Sequence, residues 1–164
     1  MSDEKPRVVL DCMVCLQAAA REESSAAACL QLAENNHIQL FVSRDILREV
    51  ENVLSRDYIR KRFPFLTDET VIIFMERLRS AANYLRTVPR HFEYTQRDVK
   101  DEPYINLAID VEAHYLVSRD NDLLDLMKWD KEDRRDFQRR FRHLKITTPE
   151  MFLQELRDGF LPVK

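Results

Sequence analysis

The sequence predicts a three-layer α/β/α sandwich with a mostly parallel central sheet. Three observations carry that expectation. Short apolar runs of strand length alternate with longer stretches of helical periodicity, the order that builds parallel sheets from crossover units. The chain has 164 residues, enough for one domain (1–164, core about 7–156) around a single core. Apolar residues make up 45% and charged residues 34%, with no biased tract, repeat or linker to divide it.

Arg7–Leu10 (RVVL) reads as a buried first strand. Residues 18–34, rich in Ala, Leu and Glu, read as helix with a break near 22–25. IQLFV (38–42) is the second strand, and Ser43 is placed to cap RDILREVENVL. In that helix Ile46, Leu47, Val50, Val53 and Leu54 recur at helical spacing. Residues 56–62 (RDYIRKR) form a basic, aromatic-containing extension that Pro64 ends. Thr67, followed by Asp68, Glu69 and Thr70, opens a helix to about Ala82. A third strand is expected at 84–88, then a polar loop, RHFEYTQRDVKD. Pro103 stands in the first turn of the next helix, EPYINLAIDVEA. Residues 115–118 (YLVS) are the fourth strand, 121–127 a short helix, and 130–143 a charged segment of helix or loop. Lys145–Thr147 is the last strand, and Thr148, Pro149 and Glu150 open a final helix that Gly159 closes.

Gly159 is the single glycine, so left-handed turns elsewhere must use Asn, Asp or other residues. A formal charge of -3 excludes a global basic field, and nucleic-acid binding would need local patches. Cys12 and Cys15 have the spacing of a redox pair or half a zinc site, but no second pair or His cluster completes one. With Cys29 they read as small buried hydrophobes in a reducing cytosol. No signal-peptide pattern opens the chain and no apolar run approaches the ~20 residues of a membrane span, so a cytoplasmic protein is expected.

In open parallel sheets ligands bind beyond the carboxyl ends of the strands. Asp11 ends the first strand there, inside the otherwise apolar VVLDCMVCLQA, where a buried carboxylate needs a partner. Asp120 and Asp122 follow the fourth strand in VSRDND, Asp101 and Glu102 begin the Pro103 helix, and Glu49 lies within the helix after the second strand. Each has an ordinary reading: Glu49 as a solvated residue, Asp101 and Glu102 as caps, Asp120 and Asp122 as turn residues. Their joint placement at one edge favours function. Gathered carboxylates repel one another unless a cation offsets them, and hard divalent ions prefer oxygen ligands.

The segments VVLDCMV, SRDILREVENVL, RDVKDEPYINLAIDVEAHYLVSRDNDLLDL and ITTPEMFLQEL together resemble the PIN-domain family. The resemblance is in particular to bacterial toxin components of toxin–antitoxin pairs, the VapC-like ribonucleases, and covers about 7–156. It implies a parallel sheet sandwiched by helices and Mg²⁺- or Mn²⁺-dependent endoribonuclease activity. By position it implies Asp11 as central metal ligand, Glu49 as the helix glutamate, Glu102 as the acid before the third-region helix and Asp120 as the last acid. Those four are the catalytic set. Asp101, adjacent to Glu102, and Asp122 join them as metal ligands. Two positions depart from the family pattern. Met13 stands where the family has Asn, and Glu112, Ala113 and His114 stand where a glycine is common, so a differently capped helix end is expected there.

The implied partners are an RNA substrate, an antitoxin protein and a second copy in a homodimer. For RNA phosphates the candidates are Arg44, Arg119, residues 56–62 and the segment 134–143 (RRDFQRRFRH), although acids interleaved near the last favour a salt-bridged surface helix. His91, His114 and His143 are scattered and make no ligand set. The alternative function is a degenerate PIN module that binds RNA or a protein without cleaving, which Met13 favours and the retained acids oppose. A CheY-like phospho-acceptor domain lacks a convincing Lys on a closing strand.

Overall fold

The centre of the molecule is one five-stranded sheet in the order β3-β2-β1-β4-β5, with every adjacent pair parallel. The structure is a computed structural model and describes residues 4–94 and 99–160; residues 95–98 of the expected polar loop lie outside it. The strands are β1 (Arg7–Leu10), β2 (Gln39–Ser43), β3 (Ala82–Leu85), β4 (Tyr115–Val117) and β5 (Lys145–Thr147). Between β1 and β2 lie α1 (Cys12–Ala20) and α2 (Ser25–Glu34), and α3 (Arg44–Ser55), α4 (Asp57–Arg62) and α5 (Asp68–Ala81) join β2 to β3. Helix α6 (Glu102–Asp110) precedes β4, α7 (Asn121–Leu124) and α8 (Glu132–Arg140) precede β5, and α9 (Pro149–Arg157) closes the fold.

β1 has no polar face because both of its faces are covered: Val8 and Val9 are fully buried. Burying each such side chain contributes roughly 1.5–3 kcal/mol relative to exposure. Helix α6 lies against β1, β2 and β4, while α2 packs on α1, α5 and α9. β1 pairs with β2 on one flank and β4 on the other, with Leu10 opposite Val117. The strand order therefore reverses at β1, which opens a crevice beyond the carboxyl ends of β1 and β4.

Local chemistry sets most boundaries. Asp11, Ser24, Ser43, Thr67, Asp120 and Thr148 each accept a backbone N–H at the start of a helix. Because Asp11 is such a cap, α1 begins at Cys12, ahead of the expected start at 18. The third strand also differs from expectation, at Ala82–Leu85 in place of 84–88. Its partner decides this. Ser43, opposite Leu85, ends β2 and caps α3, so no strand remains to pair with residues beyond 85.

The charged segment after 130 is helical. Arg134 is buried in ion pairs with Asp130 (2.9 Å) and Asp125 (3.7 Å), and Phe137 anchors the same face. Acidic residues in the first turn and arginines in the last complement the α8 dipole. The three cysteines are free and buried, as small core side chains. Among the described residues no helix is long and apolar enough to cross a membrane.

With one glycine in the chain, two helices end on residues forced into the left-handed region. Asn36 (φ 63°) follows α2, and His37 N–H donates to Leu32 C=O at 2.8 Å while Asn36 N–H donates to Ala33 C=O at 3.1 Å. Glu112 (φ 51°) ends α6 in the same way, with Ala113 N–H to Ala108 C=O at 2.8 Å and its own N–H to Ile109 C=O at 3.1 Å. Asn tolerates this conformation better than Glu. Glu112→Gly should therefore stabilise the fold by about 1 kcal/mol, read as a higher urea midpoint at an unchanged slope.

Candidate metal centre

The crevice at the β1–β4 switch point is built around Asp11, which is 5% exposed. Its position follows from the sheet. Asp11 N–H donates to Val117 C=O (3.1 Å), extending the β1–β4 ladder by one bond beyond Leu10. The carboxylate then accepts Val14 N–H on Oδ1 (2.9 Å) and the Ser118 hydroxyl on Oδ2. Ser118 Oγ in turn accepts Asp120 N–H at 2.9 Å. One fully buried hydroxyl thus ties the acid of β1 to the loop after β4.

Asp120 caps α7 by accepting Asp122 N–H on Oδ1 (2.8 Å). Oxygens of Asp101, Asp120 and Asp122 lie within 4.8 Å of one another. Asp101 reaches them from the 3₁₀ turn Val99–Asp101 that leads into α6. Tyr94 reinforces the arrangement, its hydroxyl donating to Asp122 C=O. Asp120 of this trio and Glu49 each lie close enough to Asp11 for their charges to act on it. Burial pushes the Asp11 carboxyl up to about 6; the Ser118 and Val14 hydrogen bonds pull it down, and the charges of Asp120 and Glu49 push it up again.

Glu49, half-buried on α3, faces Cys12 and Tyr104. Burial first, then the charge of Glu49, raises the Cys12 thiol to about 12, so it carries no thiolate at neutral pH. Burial likewise raises the Tyr104 phenol, beside Cys12 and Glu49, and its hydroxyl is buried without a hydrogen-bond partner. Carboxylate oxygens from several segments and an unsatisfied phenol suit an oxygen-coordinated divalent ion with its waters.

Glu102 is placed differently from expectation. It is 6% exposed, but its oxygens accept Arg90 Nε (2.9 Å), Arg90 Nη2 (3.2 Å) and Tyr94 N–H (3.1 Å). Asp101, the adjacent acid and likewise an expected metal ligand, stands with Asp120 and Asp122. One turn along α6, Asn106 accepts His91 and Phe92 N–H (both 2.7 Å) and donates to Phe92 C=O (3.1 Å). Glu102 and Asn106 therefore hold residues 90–94 against α6, which brings Tyr94 to Asp122. Met13, on the first turn of α1, is 48% exposed. His114 lies at the opposite edge of the sheet, its Nδ1 accepting Arg7 N–H at 2.9 Å.

Ser118, Tyr94, Arg90, Asn106 and Tyr104 were not among the residues singled out from sequence. Ser118 had a signal: it is a polar side chain directly after the apolar run YLV, placed just before Arg119 and Asp120. Several of the expected basic residues are occupied. Arg119 donates to Gln17 Oε1 (2.7 Å) and pairs with Glu150 (2.6 Å), and Arg60 pairs with Asp68 (2.8 Å). On α8, Arg135 pairs with Glu132 (3.0 Å) and Arg139 with Asp136 (3.1 Å), the salt-bridged surface helix.

A family model described as a PIN domain matches residues 7–122, the span from β1 through the first two residues of α7 that carries every acid of the site. No curated protein matches the chain.

A raised folded-state pKa makes Asp11 stabilising below its unfolded value and costly once pH passes about 6. In EDTA-stripped protein, stability should fall as pH rises from 4 to 7 by roughly 2–3 kcal/mol more than in Asp11→Asn. Thermal melts of both proteins across that range check this. A divalent ion added at pH 7 should restore most of the difference in the wild type alone.

Proposed function

Since the chain belongs to the PIN-domain family, whose members are generally nucleases, we propose that it is a divalent-metal-dependent endoribonuclease. The observation that carries this reading is the convergence of Asp101, Asp120 and Asp122 within 4.8 Å, next to a buried Asp11. Asp101, Asp120 and Asp122 would hold Mg²⁺ or Mn²⁺, with Asp11 and Glu49 completing the negative charge around it. When bound there, a divalent ion would offer Lewis-acid polarisation of a phosphoryl oxygen and a lowered pKa for water.

The chain's own groups do the positioning. Ser118 and Val14 N–H hold Asp11 in one orientation and favour its ionised form. Glu49 and the unpartnered Tyr104 hydroxyl face the same space and would orient water or the leaving oxygen. Glu102, neutralised by Arg90, acts as a positioning residue that fixes the turn carrying Asp101. The toxin role, an antitoxin that covers the acidic edge and a homodimer belong to the same proposal.

Met13 favours a second reading, a non-catalytic module that binds RNA or protein. A thioether cannot donate the hydrogen bond an Asn amide would give. Against it, both Asp11 oxygens already have donors that do not involve position 13.

The deciding experiment incubates purified protein with mixed-sequence RNA, with and without Mn²⁺ or Mg²⁺. Cleavage should require the ion and fall to background in Asp120→Asn and Asp101→Asn. Ser118→Ala, which removes one of the two donors that orient Asp11, should cost on the order of 10–100-fold in rate. Cleavage indifferent to the ion and to both Asp variants overturns the proposal. Met13→Asn tests the second reading: inactive wild type with an active Met13→Asn variant assigns the chain to the degenerate class.

A further inference from the structure

We propose that the groove between α3, β3 and α5 binds single-stranded RNA beside the scissile bond, with Arg44, Arg48 and Arg79 on phosphates and Tyr84 under a base. The choice of strand rests on the ribonuclease reading above; the groove is independent of it. Its floor is the register pair Val42 and Tyr84, with Leu47, and its volume is about 450 Å³. Arg44 and Arg48 descend from α3 and Arg79 from α5, so three guanidinium groups line one depression.

Two observations point to a ligand. Arg44 Nε is buried without a hydrogen-bond partner, a donor that folding leaves unsatisfied. Tyr84 is 53% exposed on β3, presenting a ring to solvent at the side of the three arginines. The one acid in the groove, Glu51, meets Arg79 at 3.6 Å with both side chains at least half exposed, a weak pair that a phosphate would displace. Arg119, Arg134, Arg135 and Arg139 elsewhere are paired with acids, and the chain as a whole carries -3, so this positive lining is local.

Helix α3 carries residues of the groove and also Glu49, whose charge acts on Asp11. Arg48 and Glu49 are consecutive on α3, and a helix turns about 100° per residue, so they leave it on different flanks. A strand crossing α3 would pass from the groove to the acids in on the order of 10–15 Å, a few nucleotides. Guanidinium contacts to phosphate and base–aromatic stacking together are the recognition chemistry of a flexible single strand.

The test measures fluorescence anisotropy of a short, labelled, unstructured oligoribonucleotide on EDTA-stripped protein, where no cleavage intervenes. Arg48→Gln with Arg79→Gln should weaken binding roughly tenfold and reduce the salt slope by about 1.4, two contacts at ~0.7 each. Tyr84→Leu should weaken binding by about fivefold or more. Glu51→Gln should tighten it, which loss of structure cannot do. Absence of RNA binding by the wild type, or unchanged binding in the Arg and Tyr84 variants, overturns the groove even if cleavage is seen. Displacement of RNA by an equally charged polyglutamate peptide assigns the groove to an acidic protein and overturns it too. If the wild type never cleaves yet the variants lose binding, the groove stands and the ribonuclease reading fails.

Discussion

A buried carboxylate with its partners supplied across the sheet is the constraint on which the acidic edge depends. Asp11 leaves β1 where the register places Leu10 opposite Val117, so the first residue after β4, Ser118, stands beside it. The hydroxyl of Ser118 donates to Asp11 and accepts Asp120 N–H, fixing both acids by one group. A slip of that pairing by one residue would turn each side chain to the other face and strand a carboxylate in the core. Fold and site therefore share a single register.

The acids that do not face the crevice are as informative as those that do. Glu102 and Asn106 spend their hydrogen-bonding capacity on residues 90–94, and that segment carries Tyr94 to Asp122. Phe92 adds ring contacts to Phe137 (5.1 Å) and Phe141 (6.2 Å), so α8 supports the same strap from outside. The N-terminal turn of α6, with Asp101 on it, is held by polar bonds at its base and aromatic packing beyond.

Charge is distributed with a similar division. Helix α8 pairs Arg135 and Arg139 with its own acids, and Arg134 is buried in ion pairs with Asp125 and Asp130. Near the carboxyl edge of β2 the balance reverses, and Arg44, Arg48 and Arg79 face a single acid. Position relative to partners, not the count of basic residues, separates a solvated helix from a surface that attracts phosphate.

The strands other than β3, the helix caps at Ser43, Thr67 and Thr148, and the gathering of acids beyond β1 and β4 were legible in the sequence. Apolar runs, cap residues and strand-end carboxylates act over a few positions and leave local patterns. The need for a non-glycine helix end at Glu112 was equally plain, since no glycine was available. Pairing decided the rest. Only the β2 partner could end β3 at Leu85, and only a guanidinium at residue 90 could withdraw Glu102 and leave Asp101 with Asp120 and Asp122. Neighbouring acids look alike along a chain. Which of them meets an arginine and which meets another carboxylate is a question of through-space distance, and packing alone sets that distance.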